Sequence, residues 1–198
     1  MGLPELKAWT LPEFFAWQEK QDVRYELVNG FPLRMMAGAK NVHDKIVVNV
    51  LGELRNQLRG SGCRPFTGDG SIETLPGQIR RPDIGVDCGR PDQEGYKADI
   101  PKVIIEVLSP STRDFDTFAK LAEYKNVASL KRLLFIDPNL PEITSWSRDE
   151  AGKWAETVFQ GLESTIDMPE IGAKLRLAEA YEDVTFVPNP RLAFRQIL

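Results

Sequence analysis

The sequence predicts an α/β fold with a central mixed β-sheet flanked by helices. Three observations carry this. Lys102-Val103-Ile104-Ile105-Glu106-Val107-Leu108 is apolar on both faces, as a strand covered from both sides must be. A helical stretch and a second apolar run, Arg132-Leu133-Leu134-Phe135-Ile136, follow it, and the order strand, helix, strand makes the two strands parallel neighbours. Between Asn41 and Arg59, Val42, Ile46, Val50, Leu54 and Leu58 recur at helical spacing.

The remaining elements follow in order. Thr10-Leu11-Pro12-Glu13 has the form of a capping box with proline in the first turn, so a short helix runs to about Lys20 and brings Phe14, Phe15 and Trp17 to the core. Arg24 to Val28 alternates polar and apolar residues. Asn29-Gly30 then turns the chain, and Phe31 to Met36 returns as the second strand of a hairpin. Gly60 closes the Asn41–Arg59 helix. Cys63 to Asp87 reads as short strands punctuated by Gly68, Gly70, Pro76 and Gly77, with Asp83 to Asp87 one of them. Cys88 to Ile100 is a polar loop, and a helix spans about Asp114 to Asn126. Glu142 to Trp146 and Trp154 to Phe159 form a peripheral antiparallel pair, with Trp146 and Trp154 as packing residues. No repeat or linker divides the 198 residues, so residues 1–198 are expected to form one domain.

Composition narrows the chemistry. His43 is the single histidine, so multi-histidine metal sites are excluded and a Ser-His-Asp triad has only His43 to use. There is no phosphate-binding glycine loop and no nucleophile-elbow motif. Cys63 and Cys88 form no C-x-x-C pair, so neither a zinc site nor a disulfide framework is indicated. With no secretion signal and no membrane-length apolar run, the expectation is a reducing cytoplasm and no membrane partner. The net charge of −4 counts against a strong non-specific nucleic-acid binder, although a local basic patch suffices for contact.

Carboxylates and a metal are then the tools left for hydrolysis. Arg81-Pro82-Asp83 opens one strand and Glu106 stands inside another. If the strands are sheet neighbours, the two carboxylates meet on one face and suit Mg²⁺ or Mn²⁺. Alone, Asp83 also reads as a turn former after proline. Glu106, isolated among apolar residues, requires a cation, a metal or a proton, because an unpaired buried charge is costly.

Arg81-Pro82-Asp83, Ile105-Glu106-Val107-Leu108-Ser109-Pro110-Ser111-Thr112 and Asp116-x-x-x-Lys120-x-x-x-Tyr124 together resemble the Uma-two family. That family is grouped with the PD-(D/E)XK, restriction-endonuclease-like nucleases. Tyr25-Glu26-Leu27-Val28-Asn29-Gly30 resembles its early hairpin, and His43 also matches its pattern, so the resemblance spans about residues 9 to 137. It implies a restriction-endonuclease-like core. It makes Asp83 and Glu106 metal ligands, Glu26 a further acidic site residue from the opposite side, and Lys120 the site lysine.

One departure stands out. The superfamily's lysine lies two residues after the strand glutamate, where this chain has Leu108. The resemblance moves it to Lys120 on the next helix, where Asp116, Lys120 and Tyr124 share a face. By spacing alone, Asp116 and Lys120 read as a surface ion pair. His43 either lines the cleft near Glu26 or caps its helix. Ser109 and Thr112 shape the turn and cap the next helix. Arg80, Arg81 and Arg113 either contact phosphate or balance nearby acids.

The sequence thus points to a metal-dependent endonuclease acting on DNA, with Glu26, Asp83, Glu106 and Lys120 as site residues and a homodimer as a plausible assembly. The competing readings are an inactive nucleic-acid- or protein-binding module of the same fold, favoured by the charge and by Leu108, and a hydrolase of another phosphate ester.

Overall fold

The computed structural model describes residues 7–35, 39–109 and 115–186. In chain order the first elements are α1 (Leu11–Gln18), β1 (Tyr25–Val28), β2 (Phe31–Arg34), α2 (Asn41–Gln57), β3 (Arg64–Thr67), β4 (Ile72–Leu75), β5 (Gln78–Arg80) and β6 (Ile84–Asp87). They are followed by β7 (Pro101–Val107), α3 (Phe115–Asn126), β8 (Arg132–Asp137), β9 (Glu142–Arg148), β10 (Trp154–Gln160), β11 (Thr165–Met168), β12 (Ala173–Arg176) and α4 (Leu177–Ala180).

The strands build a six-stranded sheet in the order β10-β9-β8-β7-β6-β3, a four-stranded sheet in the order β2-β1-β5-β4, and the β11–β12 hairpin. β7 and β8 are parallel, as a crossover through α3 requires, and β6 and β9 add antiparallel on either side, so the large sheet is mixed. Successive side chains on β7 point to opposite layers. Val103, Ile105 and Val107 join the core under α2, α4 and the β11–β12 hairpin, while Ile104 joins Tyr124 of α3 and Ile72 of β4. Both faces of β7 are covered, which is why its sequence is apolar without alternation. A third cluster sets Phe14 and Phe15 of α1 on Leu27 and Ile79 of the small sheet.

Local signals act where expected. The Thr10 and Glu13 side chains satisfy α1's N-terminus reciprocally. Asn29 and Gly30 have φ of 52° and 81°, the left-handed pair that a two-residue hairpin turn needs. Gly85 is fixed by close approach: a Cβ there would run into the Phe66 ring, which lies across the strand beside it. Trp146 and Trp154 pack on the outer strands, with the Lys125 ammonium 3.2 Å from the centre of the Trp146 ring. Pro110, Ser111, Thr112 and Arg113 lie outside the described residues, as does the Asp116 side chain, so their expected turn, capping and charge roles do too.

Two features depart from the sequence reading. Thr165 to Arg176 forms a hairpin that was not anticipated, and its Ile166, Met168 and Leu175 are buried in the large core. And Cys63 and Cys88, which the spacing left unpaired, form a disulfide. The reason is register. Arg64 pairs with Asp87 in the antiparallel β3–β6 ladder, so the cysteine just before β3 faces the one just after β6. The bond closes a loop with a sequence separation of 25, which corresponds to roughly 3 kcal/mol of stability by loop-closure entropy. Urea unfolding with and without dithiothreitol is expected to show that difference; equal midpoints would mean the pair contributes nothing.

Candidate active site

The chain passes from the small sheet to the large one through Arg81-Pro82-Asp83, between β5 and β6. Proline suits this link because neither ladder needs its N–H. The crossing sets Asp83 at the mouth of β6. Ile84 pairs with Ile105, so Asp83 stands beside Glu106 on the same face of neighbouring strands. This is the meeting of carboxylates that the sequence suggested.

Asp83 is held from two sides. Its Oδ2 accepts the Val107 N–H at 2.8 Å and lies 3.2 Å from His43 Nε2, at the first turn of α2. His43 therefore lines the site, at Asp83 rather than at Glu26, and does not cap its helix. The hydrogen bond to Asp83 raises the imidazole pKa above 6.5 against the opposing effect of burial.

Glu106 is buried, and its Oε1 accepts the Tyr124 hydroxyl at 2.6 Å. Burial drives its pKa above the ordinary carboxylate range; Asp83 and Glu26 add to that rise, while Lys120 and Tyr124 oppose it. Lys120 Nζ lies 3.7 Å from Glu106 Oε1 and 3.8 Å from Glu26 Oε1. The lysine thus leans into the carboxylate cluster; the Asp116 side chain, its partner in the surface-pair reading, lies outside the described residues. Four-residue periodicity on α3 puts Lys120 and Tyr124 on this face together.

Glu26 arrives from the small sheet and is fully engaged. Arg80 Nη1 donates to its Oε2 at 2.8 Å, and the Arg81 N–H donates to its Oε1 at 3.0 Å. Arg80 also donates to Glu123 of α3, at 2.7 Å from Nε and 2.5 Å from Nη2. Arg81 donates to the backbone carbonyls of Tyr25, Asp69 and Gly70. Of the two roles open to them, these arginines therefore balance acids and backbone inside the protein. Sequence reasoning missed Glu123, which no pattern marks out, and it noted Tyr124 only as a match in spacing.

The donor set fits a divalent cation. Tyr124 and Lys120 face Glu106 Oε1, whereas Oε2 receives only a long 3.4 Å contact from the Asp83 N–H. Asp83 Oδ1 has no partner among the described residues. Two carboxylate oxygens on adjacent strands remain for a hard cation, and Mg²⁺ is commonly held by one or two carboxylates with water and substrate phosphate completing its shell. No cluster of three or more His, Cys, Asp or Glu residues suited to a metal occurs among the described residues, so such a site depends on that outside oxygen. No helix among those residues is long and apolar enough to cross a membrane.

Comparison with known proteins is consistent with this geometry. The family model described as Uma2, putative restriction endonuclease, matches residues 11–180. An uncharacterised protein of Synechocystis sp. is 27% identical over 176 residues, covering 88% of this chain and 92% of that protein. The crystal structure of a putative nuclease belonging to DUF820 from Anabaena variabilis superposes with a TM-score of 0.71 at 17% identity, over 89% of this chain and 99% of the other. At that identity the likeness is one of fold.

Proposed function

The chain belongs to the Uma2 putative restriction endonuclease family, and from that premise we propose that it is a Mg²⁺- or Mn²⁺-dependent endonuclease hydrolysing phosphodiester bonds in DNA. The observation that carries the reading is the approach of Lys120 to Glu106 from α3, which supplies the cation that Leu108 does not. Asp83 and Glu106 hold the metal, which when bound supplies Lewis-acid polarisation of the scissile phosphate.

The protein's own groups do the rest. Lys120 steadies the attacking water and the negative charge that develops on the phosphoryl oxygens. Glu26, anchored by Arg80, keeps the ammonium in reach of Glu106. Tyr124 fixes one Glu106 oxygen, and His43 with the Val107 N–H fixes one of Asp83, so both carboxylates present their other oxygen. A homodimer with one site for each strand belongs to the same proposal.

Isothermal titration of Mn²⁺, run beside nicking assays on plasmid DNA, structured RNA and a small phosphodiester, tests the reading. Saturable binding that vanishes in Asp83→Ala/Glu106→Ala, together with DNA nicking, is the expected result. Absence of binding at millimolar Mn²⁺ would sink the catalytic reading in favour of a binding module on the same fold. Turnover of the small ester alone would move the substrate away from nucleic acid.

A further inference from the structure

The two larger sheets end in four edge strands, β2, β4, β3 and β10, and the first three are blunted. β2 carries Pro32, β3 carries Pro65, and the β4 ladder slips register between Glu73 and Leu75. Proline and register breaks are devices by which a sheet keeps a further strand from adding to its edge. β10 has neither. It runs for 7 residues without a proline, pairs with β9 in unbroken register along its whole length, and is exposed from Ala155 to Val158. No strand among the described residues pairs with its outer side.

The β9–β10 ladder fixes which backbone groups are left over. The Asp149 N–H donates to the Lys153 carbonyl and the Gly161 N–H to that of Pro141, both in the register of the ladder. Hydrogen-bonded pairs alternate along antiparallel strands, so Ala155, Thr157 and Phe159 turn their N–H and C=O to β9, and Trp154, Glu156, Val158 and Gln160 turn theirs outward. These outward groups match those of a second, antiparallel β10 when the two-fold axis passes through Thr157. Glu156 then exchanges both bonds with the partner's Val158, and Val158 with the partner's Glu156, about four hydrogen bonds around the axis. The Gln160 carbonyl already accepts the Ser164 hydroxyl, which makes the pairing firmest at its centre.

The side chains agree with that register. Glu156 is the single charge on the strand, and it stands opposite valine instead of its own copy. Phe159 meets alanine, large against small, and Thr157 meets threonine, a pair favoured across antiparallel strands. Val158, 49% exposed in the single chain, gains a neighbouring strand. Moving the axis to Glu156 would set like charges directly opposite each other, which is destabilising.

We propose that β10 is the interface of a homodimer, in which two copies join their large sheets edge to edge, antiparallel about Thr157, into one continuous sheet. This gives the dimer of the proposed function a surface, and it stands independently of the cleavage chemistry. An interface of one strand per copy is small for a stable complex, so the dimer dissociates on dilution.

Sedimentation velocity of the full chain tests this. The wild type is expected to pass from dimer to monomer on dilution from about 200 to about 1 µM. Val158→Pro removes an outward N–H without touching the β9 ladder, and is expected to stay monomeric throughout with unchanged circular dichroism. Thr157→Cys sets two thiols on the axis within disulfide reach, so oxidation by copper phenanthroline is expected to yield a covalent dimer. Ala155→Cys, about 13 Å from its own copy in this register, is expected to yield none. The chain's own two cysteines are joined to each other and do not compete. If the proline variant fails to fold, the cross-linking pair decides alone. A monomer at every concentration overturns the proposal, as does a dimer that survives Val158→Pro or cross-links equally through Ala155→Cys. The nuclease reading rests on the nicking assay whichever of these results is obtained.

Discussion

Arg80→Met is expected to cost about 3 to 5 kcal/mol, enough to unfold much of a typical domain, because it strands two buried acids at once. Arg80 is 4% exposed, and its guanidinium lies between Glu26, also 4% exposed, and the partly buried Glu123. Removing it leaves the desolvation of both carboxylates in place and deletes the attraction that offset it. Glu123 shows the balance: burial pushes its pKa up, but its bonds to Arg80 hold it below the ordinary 4.5. A carboxyl with a depressed folded pKa stabilises the protein above its unfolded pKa, and that contribution is lost as pH falls through the folded value. The wild type should therefore lose this increment in the acid range below 4.5. The variant, which never had it, should show its largest deficit near neutrality. Urea unfolding at pH 7 and pH 4 measures both. A variant as stable as wild type at pH 7 would mean that the triad is solvated and the link between the sheets is loose.

Lys120→Met is expected to lower cleavage about 100- to 1,000-fold while leaving Mn²⁺ affinity equal to wild type or tighter. The two effects separate because the ammonium faces Glu106 Oε1 and not the oxygens left for the cation. Deleting a positive charge beside two metal-binding carboxylates favours a second cation by Coulomb attraction. The fold should survive, since Glu26 keeps Arg80 and the Arg81 N–H. Parallel titration calorimetry and nicking assays provide the readout. Loss of metal binding together with activity would make Lys120 structural, and unaltered cleavage would remove it from the site.

Local chemistry in the chain is legible because each signal acts over a few residues. The capping box at Thr10 and Glu13, the Asn29-Gly30 turn and the doubly apolar β7 need no distant partner to be read. The meeting of Asp83 with Glu106 is legible for a related reason: a lone glutamate in a buried strand must be answered, and Arg81-Pro82-Asp83 sets an acid just before another strand. What escapes is set by register and by chain reversal. Cys63 and Cys88 pair because β3 and β6 are neighbours in a particular register, which spacing does not encode. Glu123 looks like any polar residue of an amphipathic helix until α3 is laid against β5. The resemblance chooses Lys120 over a surface role, and only the path of α3 shows how its ammonium reaches Glu106.

Between Arg80 and Asp83 only Arg81 and Pro82 intervene, yet Arg80 closes one sheet and Asp83 opens the other. The ammonium of Lys120 sits midway, 3.8 Å from the acid of the first slab and 3.7 Å from that of the second. The cluster consequently works as a gauge of how the two slabs are aligned. A slip of one slab by half an ångström would unbalance those two gaps long before any core contact opened. Substitutions far away, under α1 on the outer side of the small sheet, should therefore register first as lost turnover in a protein that still melts normally. Under the proposed function, cleavage would be the most sensitive reporter of the architecture, its tolerance to sequence change set by the alignment of two sheets as much as by the carboxylates and the lysine themselves.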